Sequence, residues 1–252
     1  MLEGFEQSRV RRLYVLDYGL FRVHENGRVI GITGSLIETV DRRWVLIDTG
    51  FAPKYLVDRC RAAKEDRLDE FGVILEHGPE QMPAGQLARL GLTPADIDLQ
   101  VLTHTHIDHV GGIADFTHVP MVLHKAERAL ERPLYWHGQQ PFDWPEELTY
   151  ILIEGDNEIM PGLTLLATPG HTPGQLSVLV ELPETGAVIL TSDTISRPEE
   201  LHGDFAGYWR PELARHHAHR LMDIAKARDA FVIFGHCPQQ WPVLRKMPEF
   251  YG

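Results

Sequence analysis

The stretch His104-Thr105-His106-Ile107-Asp108-His109 restricts this chain more than any other. It sets three imidazoles and a carboxylate where neither a core strand nor an exposed amphipathic helix can use them. Polar groups at this density need a partner, and a metal ion is the first choice. Neutral imidazole is the commonest protein ligand for zinc, and a carboxylate can join it. The alternation of His104 and His106 around Thr105 suits an extended segment that turns both rings to one side. Asp108 and His109 come after the turn and can face a second ion. The competing reading is a His-rich surface loop with no metal.

The stretch follows a short apolar segment, 99–103, and so lies just past the end of a buried strand. Further strands are predicted over 12–18, 28–40 (interrupted by Gly31 and Gly34), 43–48, 120–124, 150–154, 163–167, 176–182, 187–191 and 230–234. Helices are predicted over 53–64, with Tyr55, Leu56 and Cys60 on one face, and over 83–90, 125–131 and 211–226. Residues 19–26 read as a loop carrying Phe21, Val23 and His24. Length and element order suit one α/β unit over residues 1–252, an αββα sandwich of two mixed β-sheets with helices outside.

The same event recurs along the chain: an apolar strand ends and a His or Asp appears. His171 follows 163–167 in Thr168-Pro169-Gly170-His171-Thr172-Pro173-Gly174, a stiff loop suited to a preorganised ligand. Asp193 follows 187–191, and His236 follows 230–234. Asp48, at the end of 43–48, reads equally well as a loop anchor or as a residue that orients a ligand. One ion would take His104, His106 and His171, and the other Asp108, His109 and His236, with the two oxygens of Asp193 bridging them. A water held between two such ions loses a proton near neutral pH and becomes the nucleophile. Zinc is the expected ion, with iron, cobalt or manganese as alternates. No Gly-x-Ser-x-Gly elbow is present.

The net charge of -12 argues against nucleic acid or an anionic membrane as partner and leaves a small molecule. The first residues lack the apolar core of a signal peptide, and no apolar run approaches a membrane span. Cys60 and Cys237 are too few for a disulfide framework. The expectation is a cytoplasmic enzyme with reduced thiols. Cys237 reads as a buried thiol.

With this ligand set the chain resembles the metallo-β-lactamase superfamily, whose signature is His-x-His-x-Asp-His followed by a later His, Asp and His. Within it, the chain is similar to the N-acyl-homoserine lactonases. The similarity rests on Asp193 as bridge, Asp204-Phe205-Ala206-Gly207 ahead of Pro211-Glu212-Leu213-Ala214, Phe234-Gly235-His236, and Pro248-Glu249-Phe250-Tyr251. Pyridoxolactone hydrolases share much of this. The resemblance implies opening of a lactone ring by a metal-bridging hydroxide, with Asp108 both a ligand and the carrier of a proton to the leaving oxygen. Those lactonases place a tyrosine three residues after the bridging aspartate, where this chain has Ser196; Tyr208 is the nearby substitute. Rival readings are a hydrolase of a thioester, another ester or a phosphodiester, an iron-dependent redox enzyme, and a non-enzymatic binder on the same scaffold.

The segment 132–145, RPLYWHGQQPFDWP, is too rich in Pro and Gly for a helix and too aromatic for an idle loop. Trp136 and Phe142 within it, with Phe21, Ser196 and Tyr208, are the candidate substrate contacts. The segment reads as a packed cluster, a substrate wall or the patch of a homodimer. His216, His217 and His219 read as a surface, and His24, His77, His118, His124, His137 and His202 lack ligand spacing.

Overall fold

In the computed structural model, which describes every residue except His137, twelve strands form two sheets among the described residues. The reading of His137 as a non-ligand lies outside the described residues. The first sheet holds β1 (Val10–Val23), β2 (Val29–Thr39), β3 (Trp44–Ile47), β4 (Gly72–Glu76), β5 (Leu99–Val101), β6 (Met121–His124) and β7 (Tyr150–Ile153), in the order β4-β1-β2-β3-β5-β6-β7. The second holds β8 (Asn157–Met160), β9 (Leu163–Ala167), β10 (Leu176–Leu182), β11 (Gly186–Leu190) and β12 (Phe231–Ile233), in the order β12-β11-β10-β9-β8. Both are mixed: β3, β5, β6 and β7 run parallel in series, as do β11 and β12, and the other neighbours are antiparallel.

Alternation along the strands builds three apolar layers. Leu13, Val15, Val45 and Ile47 of the first sheet pack between the sheets against Leu165, Val178, Val180 and Val188 of the second. Their neighbours Tyr14, Leu16 and Leu46 face the other way. There they meet Tyr55 of α1 (Lys54–Val57), Ala62 of α2 (Arg59–Glu65), Leu87 of α3 (Pro83–Ala88) and Val110 of α4 (Ile107–Val110). α5 (Lys125–Arg128) follows β6 directly. On the outer face of the second sheet, Leu166, Leu179 and Ile189 pack against α6 (Pro211–Ala227), which buries Ala214, Ala218, Leu221 and Ala225 on one helical face. Each large aliphatic removed from water here contributes about 1.5–3 kcal/mol before entropy is counted. This is the expected sandwich of two mixed sheets flanked by helices.

Several local expectations are corrected. β1 continues through the predicted loop at 19–26 as far as Val23, because a bulge between Asp17 and Leu20 absorbs Gly19. Gly19 has φ +111°, and a Cβ there would lie 2.0 Å from the Glu76 carbonyl oxygen of β4. Gly31 and Gly34 do not interrupt β2; they sit against the rings of Trp241 and Tyr18. The predicted helix over 53–64 is two short helices, broken where Asp58 turns extended and caps α2 through the Arg61 amide. Tyr55 is buried, but Leu56 and Cys60 are exposed, so the predicted common face does not form. The strands β4 and β8 were not expected. His216 and His219 are exposed on α6 and His217 is half-buried. Both cysteines are free, Cys60 exposed and Cys237 buried. Among the described residues, no helix is long and apolar enough to cross a membrane.

Candidate metal centre

The ligand candidates come from four places that the sandwich brings to one edge. The loop after β5 carries His104 and His106, and α4 carries Asp108 and His109. The β9–β10 connection carries His171, the turn after β11 carries Asp193, and the loop after β12 carries His236. Thr103 stitches the sheets together here, its carbonyl accepting from the Leu176 amide at 2.9 Å.

The side chains gather into two groups, His104, His106, His171 and Asp193 on one side and Asp108, His109 and His236 on the other. Asp193 turns one oxygen to each. Its Oδ2 lies 3.3 Å from His171 Nε2 and 3.7 Å from His104 Nε2. Its Oδ1 lies 3.2 Å from His236 Nε2 and 3.4 Å from His109 Nε2. His106 Nδ1 and His171 Nε2 are 2.9 Å apart, and Asp108 Oδ2 is 3.4 Å from His236 Nε2 and 3.8 Å from His109 Nε2.

These separations test whether the residues fit metal ions. Ligands held about 2.0–2.1 Å from a tetrahedral zinc stand roughly 3.3 Å from one another. The observed spacings, 2.9–3.8 Å, bracket that edge. The inward atoms His104 Nε2, His109 Nε2 and Asp193 Oδ1 are buried without a hydrogen-bond partner. Such orphaned lone pairs are costly unless a cation meets them. The residues fit two ions.

The outward nitrogens of three rings are engaged. His109 Nδ1 donates to Asp48 Oδ2 at 2.8 Å, and His236 Nδ1 to the Gly31 carbonyl at 3.0 Å. His104 Nδ1 donates to Thr103 Oγ1 at 3.2 Å, since that hydroxyl itself donates to Asp48 at 2.8 Å. Protons fixed on Nδ1 leave Nε2 free to bind metal. Asp48 also accepts the Thr103 amide at 2.8 Å, so it acts as the orienting partner of His109 and as a loop anchor at once.

Charge follows the same layout. Burial and the neighbouring His109 hold His104 well below the usual imidazole range. Burial alone would lower His109, but the carboxylates of Asp108, Asp48 and Asp193 outweigh it and hold the ring well above that range. Burial is likewise outweighed at His236, which Asp193 pushes up to about 9. Burial would raise Asp193; His236 and His109 hold it well below the carboxylate range instead. Protons on these rings compete with metal for the same lone pairs, so loading releases protons.

Two supports escaped the sequence reading. Glu127 of α5 is buried and accepts the Thr105 amide at 2.9 Å, the Thr105 hydroxyl at 2.7 Å and the Gly174 amide at 2.9 Å. It therefore ties the loop of His104 and His106 to the loop of His171. Gly235 passes so close to the Asp193 turn that a Cβ would fall 2.4 Å from the Ser192 carbonyl oxygen. The Gly signals a tight approach; the Glu, in a stretch that reads as a helix, gives no sign of burial.

The ligands floor a cavity of about 540 Å³. One wall is apolar, with Phe21, Ile30, Phe51, Leu68, Phe71 and Trp136; the other is polar, with Arg28, Ser196, Arg197, Glu200 and Tyr208. The Tyr208 ring lies 4.6 Å from that of His171, centroid to centroid, and its hydroxyl donates to Glu200 Oε2 at 3.1 Å. Burial and the adjacent Glu200 raise Tyr208 well above the usual phenol range, so it stays a donor at any working pH. The Ser196 amide donates to the same Glu200 oxygen at 2.7 Å. Of the candidate substrate contacts, Phe21, Trp136, Ser196 and Tyr208 line the cavity. Phe142 does not: its ring packs edge-on against Tyr135 at 4.9 Å in the core behind the wall.

The wall segment hangs on the ligand loop. Leu134 donates its amide to Thr105 Oγ1 at 2.9 Å, Tyr135 to the Thr105 carbonyl at 2.9 Å, and Ile107 to the Tyr135 carbonyl at 3.1 Å. Behind it, the hydroxyls of Tyr55 and Tyr135 both donate to the buried Asp66 at 2.6 Å.

A family model for the metallo-beta-lactamase superfamily matches residues 28–236. The N-acyl homoserine lactonase AiiA of Bacillus thuringiensis subsp. kurstaki is 37% identical over 210 residues, covering 82% of this chain and 81% of that protein. The N-acyl homoserine lactonase AttM of Rhizobium radiobacter is 32% identical over 186 residues, covering 66% and 68%. Among solved structures, an N-acyl homoserine lactone hydrolase with the product N-hexanoyl-L-homoserine at its catalytic metal center aligns with a TM-score of 0.83 at 27% identity, covering 96% of this chain and all of that one.

Proposed function

The chain belongs to the metallo-beta-lactamase superfamily, and we propose that it is a dinuclear metal hydrolase that opens lactone rings, N-acyl-homoserine lactones first. The observation that carries this reading is Asp193, whose two oxygens each face one ligand group on the floor of a cavity with one apolar wall. His104, His106, His171 and Asp193 Oδ2 would hold one ion, and Asp108, His109, His236 and Asp193 Oδ1 the other. Zinc is the proposed metal, on the strength of the His-rich set and the spacing of its nitrogens. Bound there, the ions would supply Lewis acidity and the activation of water.

The chain's own residues do the rest. Trp136, Phe21 and Phe71 take the acyl chain out of water, which orients the ring over the ligands. By exchanging its bond to Glu200 for one to a substrate oxygen, the Tyr208 hydroxyl, beside His171, would stand in for the tyrosine absent at Ser196. Hydrolysis forms one C–O bond from water to the carbonyl carbon and breaks the ring C–O bond. The proton lost by water must reach the ring oxygen. Asp108 is half-buried and lines the cavity, which suits it to carry that proton as well as to bind metal. Two free thiols suit a reducing compartment, and the cytoplasm is the proposed location. Removal of acyl-homoserine signals, quorum quenching, would follow in the cell.

A pH-indicator assay of zinc-loaded protein tests this. The panel comprises acyl-homoserine lactones of several chain lengths, simple γ- and δ-lactones, a thioester and a bis-aryl phosphodiester. Turnover led by the acyl-homoserine lactones is expected. None with any lactone sinks the reading, and turnover of only the thioester or the phosphodiester replaces it.

A further inference from the structure

We propose that the polar wall of the cavity is an anion subsite, with Arg28 and Arg197 receiving a carboxylate at the acyl end of the substrate. The inference rests on the lactonase reading and narrows its substrate class to lactones that carry a second, negatively charged end. The methyl-ended acyl chain suggested by the apolar wall would then be a poorer substrate.

The argument begins with charge. In a chain of net charge -12, two guanidiniums line one cavity, set in the hairpin before β2 and in the segment after Asp193. Glu25 and Glu200 line the same cavity and could neutralise them. Glu200 keeps its charge, but its oxygens are already engaged. Its Oε2 accepts the Ser196 amide at 2.7 Å and the Tyr208 hydroxyl at 3.1 Å, and its Oε1 stands 3.9 Å from Arg197 Nε, a loose pair. Glu25 is exposed at the hairpin tip. Among the described residues, the Arg28 guanidinium makes neither an ion pair nor a hydrogen bond, although it is half-buried.

A guanidinium offers five N–H donors in a planar fork that matches a carboxylate. Structural arginines are held by spending those donors; this one lines the cavity without spending them on the protein. Burial first, and then the nearby Arg197, pull Arg28 below its ordinary value against the opposite pull of Glu200 and Glu25, and a carboxylate bound in the cavity would add to that opposite pull. The subsite adjoins Tyr208, which touches His171, so one molecule can span from the ligand floor to the arginines.

The test is a matched trio of N-acyl-homoserine lactones of one chain length, ending in carboxylate, carboxamide or methyl, given to zinc-loaded protein at low salt. The expected kcat/KM favours carboxylate over carboxamide by about tenfold or more, the scale of one charge-assisted pair. That ratio should collapse towards one in Arg28→Met, return in part in Arg28→Lys, and shrink as salt rises. Equal turnover of all three, or a preference that survives Arg28→Met, overturns the inference and leaves the lactonase reading intact. No turnover of any of the three overturns both.

Discussion

His109 is fixed from behind by Asp48, His104 by Thr103 and His236 by a carbonyl of the opposite sheet, whereas in the cavity wall Phe21 is held only by ring packing on Phe51 and Phe71, and the Arg28 guanidinium by no hydrogen bond. The floor is a buried polar network in which three rings are held from behind while their inward atoms are left for a cation, so its geometry is set by the supporting bonds. The walls are a mixture of aromatic faces, a half-buried arginine and a hairpin tip. The difference teaches where each kind of information sits. The floor decides what bond is broken, and it tolerates little change; the walls decide which molecule arrives.

Asp193→Ala should produce the largest effect, since it removes the one side chain shared by both ligand groups. Elemental analysis should find bound metal falling from about two ions per chain to fewer than one, with turnover lost in the same sample. A variant that kept both ions would break the picture of the floor as one unit. Asp48→Asn is gentler. It keeps the shape and suits the left-handed backbone at φ +59°, but gives up the charge behind His109. Chelator competition should show metal affinity down by about 10–100-fold, the usual cost of losing an orienting carboxylate. A change confined to KM would instead assign Asp48 to the walls. Tyr208→Phe sharpens the contrast from the other side. Metal content should hold at the wild-type level while kcat/KM falls about tenfold, the worth of one well-placed hydrogen bond. Loss of metal here would mean that wall and floor are not separable.

The convergence of His104, His106, Asp108, His109, His171, Asp193 and His236 was legible because each stands just past an apolar strand, and strand ends share an edge in a sandwich. What the sequence hid was decided by tertiary contact. β4 and β8 are short, and in β4 Val73 and Leu75 stay exposed, so neither has a strong period-two signature. The helix predicted over 53–64 is broken because Asp58 serves as a cap, which leaves Leu56 and Cys60 exposed rather than on a buried face. The aromatic segment announced burial without saying against what, and Phe142 turned inward to Tyr135 while Trp136 faced the cavity. Tyr208 could be placed only once the chain after Asp193 folded back over His171.

The wall segment that hangs from Thr105 has a further consequence. Two of the three bonds joining it to the ligand loop, Tyr135 to Thr105 and Ile107 to Tyr135, run between main-chain atoms, and the third uses only the amide of Leu134. Main-chain atoms are the same whatever side chain they carry. Position 136, which lines the cavity, can therefore be exchanged by mutation while the backbone keeps its attachment to the catalytic floor. Substrate range in this scaffold is free to drift there, and a library confined to that position should yield folded, metal-loaded variants with altered acyl preference at high frequency.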